Sequence, residues 1–484
     1  MGFCYAFTMM SQCQPGFRFP VLTIPKAIPM KTTSSRREFL HQSGALGAAY
    51  WVGGSAVQAN YNSPNERLNI AAIGVGGKGS SDSNHAAEFG NLVAICDIDN
   101  ERLETKSAKY PQAKKFHDFR KLFDQMANQI DAVVVSTPDH THAPASIQAM
   151  KLGKHVYCQK PLTHSVFEAR LMRETAAKYK VATQMGNQGT AHDGFRTGVE
   201  VLQSGAIGKI REAHIWTNRP AKYWKQAPDV VTRPSEKPDV PTHIHWNEFL
   251  GPAPIRPYHP IYHPMKWRGW WDFGTGALGD MGCHTANQTF MALKLEYPTS
   301  VVAENSPLND ETYPAWATVQ YEFPARGDLP PVKLTWYEGA KDGARNLPSN
   351  NLVFGEDLPT SGCILVGDKG VFFSPNDYGG EYKLLPGESY ENYDEPTPTL
   401  ARTDSGDGGH DLNQKREWIE ACKGGPAAFS NFHYAGLLTE TILLGNVAVK
   451  AGKKIYWDGP KFKITNAPEA ELFLHTDYRT GWTI

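Results

Sequence analysis

Apolar and polar positions alternate in two different ways along the chain, and the first pattern covers residues 67–186. Here short apolar segments, each long enough for one buried strand, are separated by amphipathic segments with helical spacing. Because parallel strands need crossovers between them, this pattern predicts an α/β domain with a doubly wound parallel sheet. Strands are predicted at 68–73, 92–96, 130–136, 155–158 and 181–185, and helices at 143–152 and 165–179.

The second pattern begins after residue 186, where strand-like segments are separated by longer connections. It favours an α+β domain built on an open, mostly antiparallel sheet. Residues 234–271 are rich in Pro, His and Trp and have little periodicity, which predicts a long loop that lines a pocket. In this domain strands are predicted at 212–217, 317–323, 332–337 and 362–366, and helices at 418–422 and 435–450.

A glycine-rich loop joins the first predicted strand to the helix that follows it. Glycines in such a loop permit a tight turn, let the backbone approach a pyrophosphate and let the helix pack close to the sheet. The N–H groups at the start of the helix would then bind the phosphates. The alternative is a glycine turn in an α/β sheet without a nucleotide. The candidate cofactor-binding residues of this loop are Gly74, Gly76, Gly77, Lys78 and Gly79.

Acidic and polar residues at two further strand ends extend this candidate site. Asp97 ends the second strand, where a carboxylate would accept hydrogen bonds from an adenosine ribose and repel a 2′-phosphate. The next arginine, Arg102, does not follow it directly, so the sequence predicts NAD rather than NADP. Thr137, Pro138 and His142 follow a later strand and are also candidates for cofactor binding, with loop hydrogen bonding as the alternative for the histidine.

A Gln-Lys-Pro motif, residues 159–161, follows the strand predicted at 155–158. Ligands of α/β sheets bind at the carboxyl ends of the strands, so Gln159 and Lys160 would lie beside a nicotinamide and a substrate. A lysine in that place can exchange protons with the substrate. The alternative is a surface lysine on a turn between strand and helix.

A second candidate for chemistry lies on a helix that carries Asp280, His284 and Asn287 on one face. A carboxylate one turn from a histidine can orient the imidazole, as a general base requires. The alternative is a surface pair on a capped helix. Asp280 and His284 are candidate catalytic residues, and Asn287 is a candidate for substrate binding.

Aromatic residues just before this helix are candidates for binding a sugar. Trp267, Arg268 and Trp271 could stack on a sugar ring and form hydrogen bonds with it, although aromatic core residues are the alternative. Two histidine pairs in the same stretch have spacings that metals can use. Because prolines interrupt any helix there and no acidic or cysteine cluster accompanies the pairs, no metal site is predicted.

Net charge, apolar runs and cysteine spacing limit the partners and ligands that the protein is expected to bind. The chain has 484 residues, a formal net charge of −1 and no block of like charges, which argues against nucleic acid or an anionic membrane as the main partner. No apolar run after residue 60 is long enough to span a bilayer. The five cysteines beyond that point are scattered and lack Cys-x-x-Cys pairs, so neither a disulfide framework nor a zinc site is predicted.

The N-terminus carries a candidate export signal. Residues 35–40, Ser-Arg-Arg-Glu-Phe-Leu, match the twin-arginine pattern, and an uncharged stretch over 43–59 ends in a small-residue cleavage site. These features predict export by the twin-arginine route to a bacterial periplasm, with Met30 as the natural start and a mature chain from Asn60. An amphipathic N-terminal arm is the alternative.

Together the motifs resemble those of the glucose–fructose oxidoreductase, inositol dehydrogenase and MocA-like family, over residues 67–459. The family's catalytic lysine corresponds to Lys160, and its Asp-x-x-x-His pair corresponds to Asp280 and His284. Two positions depart from the family pattern: Gln159 replaces the usual Glu, and Asn287 stands where many members have an acid.

The resemblance implies an N-terminal Rossmann domain and a C-terminal domain whose open sheet often forms the oligomer interface, so a homo-oligomer, dimer or tetramer, is expected. The corresponding segments are a leader over 1–59, a nucleotide-binding domain over 66–186, a substrate and oligomerisation domain over 187–459 and a tail over 460–484.

The resemblance also implies an NAD-dependent oxidoreductase that acts on a CH–OH group of a sugar, polyol or sugar derivative. Either Lys160 or His284 would take the hydroxyl proton, and Asp280 would orient His284. Because free NAD is scarce outside the cytoplasm, export predicts a tightly held cofactor that is recycled within one catalytic cycle. An NAD-dependent glycoside hydrolase that oxidises its substrate transiently is one alternative, and a non-catalytic nucleotide- and sugar-binding protein is another.

Overall fold

The computed structural model describes residues 67–222, 232–403 and 409–484. The predicted twin-arginine signal and cleavage site lie outside these residues.

A six-stranded parallel sheet forms the first part of the described chain, with the strand order β3-β2-β1-β4-β5-β6. Because both faces are covered by helices, its central strands are apolar throughout, and all four residues of β4 are fully buried. The strands are β1 (Asn69–Ile73), β2 (Asn91–Cys96), β3 (Lys114–Phe116), β4 (Ala132–Val135), β5 (His155–Cys158) and β6 (Thr183–Met185).

Five helices connect these strands, and polar side chains begin three of them. The Asp99 carboxylate caps α2, the Asp118 carboxylate caps α3, and Ser165 forms a capping box with Glu168 at the start of α5. This arrangement confirms the predicted doubly wound sheet. The helices are α1 (Lys78–Phe89), α2 (Asn100–Lys109), α3 (Phe119–Met126), α4 (His142–Lys151) and α5 (Val166–Tyr179).

A ten-stranded sheet follows, with the order β14-β13-β12-β7-β10-β9-β8-β15-β16 and with β11 paired to β10. Its strands are antiparallel except that β7 and β10 run parallel, which confirms the predicted mostly antiparallel sheet. The strands are β7 (Ile210–Thr217), β8 (Ser300–Asn305), β9 (Trp316–Phe323), β10 (Val332–Lys341), β11 (Ala344–Arg345), β12 (Gly362–Gly367), β13 (Val371–Ser374), β14 (Lys383–Leu385), β15 (Ile455–Asp458) and β16 (Lys463–Ile464).

Helices of the second part pack on this sheet and reach back to the first. The helix α12 contacts β8 and β9 on one side and α5 on the other, while α11 packs against α1. No helix among the described residues is long and apolar enough to cross a membrane. The helices are α6 (Asp193–Gln203), α7 (Arg219–Lys222), α8 (Trp246–Leu250), α9 (Gly276–Thr285), α10 (Asn287–Ala292), α11 (Gly409–Cys422) and α12 (Phe432–Ala451).

The segment over 234–271 matches the prediction of a long loop in most of its described length, with α8 and a short 3-10 helix as its regular elements. Its aromatic residues form a small core of their own, which includes Phe249, Tyr262 and Trp270. Residues 460–484 include β16, and Trp482 near the end of the chain packs against Phe119 in the first part of the fold. The loop and the end of the chain thereby close one side of a cavity.

Candidate functional site

A cavity of about 390 Å³ opens at the carboxyl ends of β1, β2, β4 and β5, where α/β sheets bind their ligands. The 234–271 loop forms its other wall. The structure brings most of the predicted site residues to this cavity. Those that line it are Gly74, Gly76, Gly77, Lys78, Asp97, Thr137, Pro138, Gln159, Lys160, Trp267 and Arg268.

The glycine loop has the geometry that a dinucleotide requires. Gly74 has a φ of 78°, and a Cβ built on it would lie 2.6 Å from the Ser136 carbonyl oxygen. A Cβ on Gly79 would lie 2.0 Å from the Gly74 carbonyl oxygen, so only glycine lets α1 start this close to β1. No side chain among the described residues caps α1, which leaves its first N–H groups available to a phosphate. The loop therefore fits the cofactor.

Asp97 holds this loop in place. Its Oδ2 accepts hydrogen bonds from the backbone N–H groups of Val75 and Gly76, at 2.8 and 3.1 Å. Burial raises the pKa of Asp97, and the hydrogen bonds from Val75 and Asp99 only partly oppose this shift. Arg102 also lines the cavity: its side chain lies over Gly76, and its Nε is 3.3 Å from the Asp99 carboxylate. An arginine is thus close to the acid that would contact the ribose.

Lys160 lines the other end of the cavity and pairs with Asp280, whereas neither Asp280 nor His284 is among the residues that line it. The Lys160 ammonium donates to Asp280 Oδ1 at 2.8 Å and to the Asp280 carbonyl oxygen at 2.9 Å. Arg268 Nε donates to the same Oδ1 at 3.2 Å. Burial would raise the pKa of Asp280, but the two cations outweigh burial and hold it well below its usual value. The carboxylate is therefore ionised and lies between two cations.

His284 lies one turn further along α9 and is buried. Burial, reinforced by the nearby Lys160 charge, lowers its pKa well below the usual value, so the imidazole is neutral at neutral pH. Its ring meets the Tyr378 ring edge-on, with the centroids 4.9 Å apart. Within the described residues the side-chain hydrogen bonds of Asp280 go to Lys160 and Arg268, and none goes to His284. Asp280 therefore acts on His284 through a longer-range electrostatic interaction.

Three other predicted residues lie behind the cavity walls. His142 places its ring nitrogens 2.8 Å from the carbonyl oxygens of Pro161 and Thr137, so it joins two loops of the site from behind. The Asn287 amide donates to Thr190 and accepts from Tyr434, both buried. The third, Gly79, is buried against the Gly74 carbonyl group in the first turn of α1.

Trp271 faces a second cavity of about 460 Å³ instead of the first. Its ring lies 3.7 Å from the Tyr313 ring and below the Lys450 ammonium. Neither Trp271 nor Asn287, both predicted to bind substrate, lies on the wall of the cofactor cavity. Helical spacing predicted that Asn287 shares one helix face with Asp280 and His284, but α9 ends at Thr285 and Asn287 begins α10, so the three residues do not lie on one helix.

Several ionisable groups of the cavity were not identified from the sequence, and Asp139 is a deeply buried one. Asp139 lines the wall, is buried and accepts a hydrogen bond of 2.7 Å from the Thr275 hydroxyl. Burial raises its pKa to about 7. Its position directly after Thr137 and Pro138, at a strand end, was the signal that could have identified it.

Three potential ligand atoms on Asp99, Glu101 and His243 lie within 4.8 Å of one another, although no metal site was predicted from the sequence. The Asp99 carboxylate already accepts from the Glu101 backbone N–H at 2.9 Å and pairs with Arg102. One Asp99 oxygen therefore caps α2, and the other pairs with Arg102.

Comparison with known proteins agrees with this architecture. A family model described as the NAD-binding Rossmann fold of an oxidoreductase family matches residues 68–187, and the model of its C-terminal alpha/beta domain matches residues 200–328. The crystal structure of the WlbA dehydrogenase from Bordetella pertussis, in complex with NADH and UDP-GlcNAcA, shares the fold. It superposes with a TM-score of 0.56 and 16% identity, over 81% of this chain and 98% of that one.

Two curated relatives match parts of the sequence. Myo-inositol 2-dehydrogenase of Thermotoga maritima is 28% identical over 156 residues, which is 32% of this chain and 46% of the relative. A glycosyl hydrolase family 109 protein of Solibacter usitatus is 29% identical over 171 residues, which is 32% of this chain and 39% of the relative. The match thus spans less than half the length of either relative.

Proposed function

Because the chain belongs to the Gfo/Idh/MocA oxidoreductase family, we propose that it is an NAD-dependent oxidoreductase acting on a CH–OH group of a sugar, polyol or sugar derivative. The observation that carries the proposal is the position of Lys160, which lines the cavity, pairs with Asp280 at 2.8 Å and lies close enough to His284 to lower the pKa of its imidazole. A relative named for inositol oxidation supports the substrate class.

We propose different roles for the two candidate bases. When bound, the nicotinamide would accept a hydride from the carbon that carries the hydroxyl group. His284 is neutral and accepts the hydroxyl proton, since its low pKa keeps it free of a proton beforehand. The Lys160 ammonium donates a hydrogen bond to the substrate oxygen and stabilises its developing negative charge. Asp280 keeps Lys160 in place and offsets the positive charge that His284 gains.

The first test measures turnover of NAD⁺ by the purified protein with a panel of polyols and free sugars. The absorbance of NADH is the readout. Lys160→Met should abolish turnover and leave NAD⁺ binding close to that of the wild type, because the change removes the hydrogen-bond donor and keeps the glycine loop. The matched control is Lys151→Met, which changes an exposed lysine of α4. Near-normal activity of Lys160→Met would refute the assignment.

A glycoside hydrolase that oxidises a hydroxyl transiently is the second candidate function. It is supported by the relative named as a glycosyl hydrolase family 109 protein, and it would use the same residues for proton transfer. Release of the aglycone from aryl glycosides without net formation of NADH favours this function. If the protein binds nucleotide but neither assay gives turnover, a non-catalytic binding protein is the better description.

The cofactor proposed is NAD, tightly held. Asp97 at the ribose end supports NAD, and the neighbouring Arg102 makes a direct comparison with NADP worthwhile. Mass spectrometry of the nucleotide released on denaturation identifies the bound form. An empty protein that binds NAD⁺ weakly would exclude the tightly held cofactor.

Export and self-association complete the proposal. We propose that residues 35–40 direct export by the twin-arginine route to the periplasm and that the mature chain forms a dimer or tetramer. Replacement of both arginines, Arg36→Lys with Arg37→Lys, should keep the protein in the cytoplasm of a bacterial host. Light scattering of the mature chain measures its mass, and a monomer would refute the self-association.

A further inference from the structure

A buried cluster of charges lies beneath the glycine loop, where α1 and α11 pack together. Asp82 and Lys415 are both fully buried, and their charged atoms are 2.7 Å apart. Lys78, on the glycine loop, lies 3.0 Å from Asp82 and 2.5 Å from Asp411. Lys415 also pairs with Asp411, at 2.9 Å. Two cations and two anions thus balance, as burial of charge requires.

Two ammonium groups and two hydrogen-bond donors surround the Asp82 carboxylate. Its Oδ1 faces the two ammonium groups of Lys415 and Lys78. Its Oδ2 accepts from the Ser136 hydroxyl at 2.9 Å and from the Gln159 side-chain amide at 2.8 Å. Burial alone would raise the pKa of Asp82, but the two lysines outweigh it and lower the pKa below its ordinary value. An ionised carboxylate can only accept hydrogen bonds, so it fixes which end of the Gln159 amide faces it.

The other end of that amide faces the backbone of the catalytic lysine. Gln159 Oε1 accepts the backbone N–H of Lys160 at 3.2 Å. Gly186 leaves the space for this side chain, since a Cβ there would lie 2.6 Å from the Gln159 amide nitrogen. A continuous path therefore runs from Lys415 through Asp82 and Gln159 to the backbone of Lys160.

This path gives a physical reason for the glutamine. A glutamate at position 159 would place a second carboxylate about 3 Å from Asp82, in a site without solvent, where like charges cannot both remain ionised. Asp82, on α1, already supplies an ionised carboxylate beside this amide.

We propose that Asp82 is a positioning residue for Lys160: its carboxylate, neutralised by Lys415 and Lys78, holds the Gln159 amide, and the amide holds the segment from which Lys160 extends to Asp280. The electrostatic arrangement stands independently of any activity, whereas its effect on turnover rests on the proposed oxidoreductase function.

The first test is thermal unfolding of Gln159→Glu between about pH 5 and pH 8. In the folded protein, Asp82 and burial raise the pKa of the new glutamate above its unfolded value of about 4.3. At low pH it is protonated and donates its O–H to Asp82, so Tm stays near that of the wild type. As the pH rises toward the folded pKa this stabilisation is lost, and Tm should fall by roughly 5 °C relative to the wild type.

Other charged and titratable groups around position 159 also contribute to the pH dependence of Tm. The wild type contains the same groups, so their contribution is common to both proteins. These groups are Asp82, Lys78 and His85 on α1, His410, Asp411 and Lys415 on α11, Tyr157 on β5, and Lys160 with its partner Asp280.

The second variant moves the negative charge from position 82 to position 159 instead of adding a second negative charge. Asp82→Asn with Gln159→Glu restores one carboxylate and one amide to the pair, so the additional pH dependence should disappear. Asp82→Asn alone should lower Tm at every pH without the new slope, because Lys415 and Lys78 then share only Asp411. The proposal is overturned if Gln159→Glu follows the wild type at every pH, or if the double variant keeps the slope.

The position of Lys160 is measured without a substrate. The protein is acetylated with a water-soluble N-hydroxysuccinimide ester at about pH 8, and peptide mass spectrometry measures the extent of reaction at each lysine. The exposed Lys151 is the internal reference. Lys160 should be acetylated several-fold faster in Gln159→Glu than in the wild type. In the double variant its acetylation rate should return to the wild-type value. The acetylation rate of Lys151 should be the same in all variants. Equal rates for Lys160 in all variants would overturn the positioning role. A change in rate in a protein that never turns over NAD⁺ would leave the inference standing and refute the proposed function.

Discussion

The replacement Asp280→Asn tests the centre of the site, because one carboxylate there holds two cations. The side chains of Asp280 and Lys160 are 8% and 15% exposed, and their charged atoms are 2.8 Å apart. Arg268 Nε is 3.2 Å from the same oxygen and is 26% exposed. The amide of asparagine keeps the shape of the side chain and removes its charge, so the variant removes the carboxylate that Lys160 and Arg268 share.

The expected cost follows from the burial of the pair. Removal of one partner of a buried ion pair costs about 3–5 kcal/mol, because the remaining charge is left without compensation. Since Lys160 and Arg268 keep some contact with solvent, we expect the lower end, about 3 kcal/mol of unfolding free energy. Turnover should fall about 100-fold, because Lys160 loses the group that fixes its ammonium.

Denaturant unfolding at neutral pH measures the stability, and NADH formation measures the turnover. The pKa of Asp280 is depressed in the folded state, so its stabilisation is present above the unfolded pKa of about 3.9 and is lost as the pH falls toward the folded value. The difference between wild type and variant should therefore start to shrink below about pH 4.

A surface ion pair provides the matched control. Glu104 and Lys115 are 64% and 42% exposed, and Glu104→Gln should change the unfolding free energy by less than about 1 kcal/mol. If Asp280→Asn loses no more stability than Glu104→Gln, Asp280 is not the carboxylate that holds the two cations.

Three further predictions concern the cofactor cavity. Burial raises the pKa of the Asp139 carboxyl to about 7, so Asp139→Asn should remove an ionisation near that value from the pH profile of turnover. An unchanged profile would show that Asp139 does not titrate during catalysis. Gly79→Ala should abolish NAD⁺ binding, measured by calorimetry, because its Cβ would lie 2.0 Å from the Gly74 carbonyl oxygen, whereas Gly387→Ala, with open space around its Cβ, should bind normally. Arg102→Ala should weaken binding of NADP⁺ more than binding of NAD⁺, since it removes a cation beside the ribose site; equal losses in a titration of both nucleotides would contradict this role.

The alternation of strands and helices in the first domain was predictable from the sequence because it depends on local periodicity. The predicted helices at 143–152 and 165–179 correspond to His142–Lys151 and Val166–Tyr179 in the structure. The glycine loop, the acid at the end of β2 and the lysine at the end of β5 were also accessible, since strand ends of a parallel sheet meet at one edge.

Contacts between distant segments were not accessible in the same way. Periodicity placed Asp280 and His284 on one helical face, but the hydrogen bonds of Asp280 go to Lys160 and Arg268, which come from other segments. The same limit applies to Trp271, whose ring turns to a second cavity. Side-chain direction depends on what packs against each element, and a single sequence does not contain that information.

By itself, then, the sequence determined the fold class, the nucleotide loop and the identity of the candidate lysine, because these depend on strand and helix periods and on the backbone freedom of glycine. The tertiary structure alone decided which charges meet. Asp82 and Lys415 are far apart in the chain, and they become partners only because α11 packs across α1 and excludes water from both. Burial then makes that pairing obligatory, since an isolated charge in such a place would be too costly.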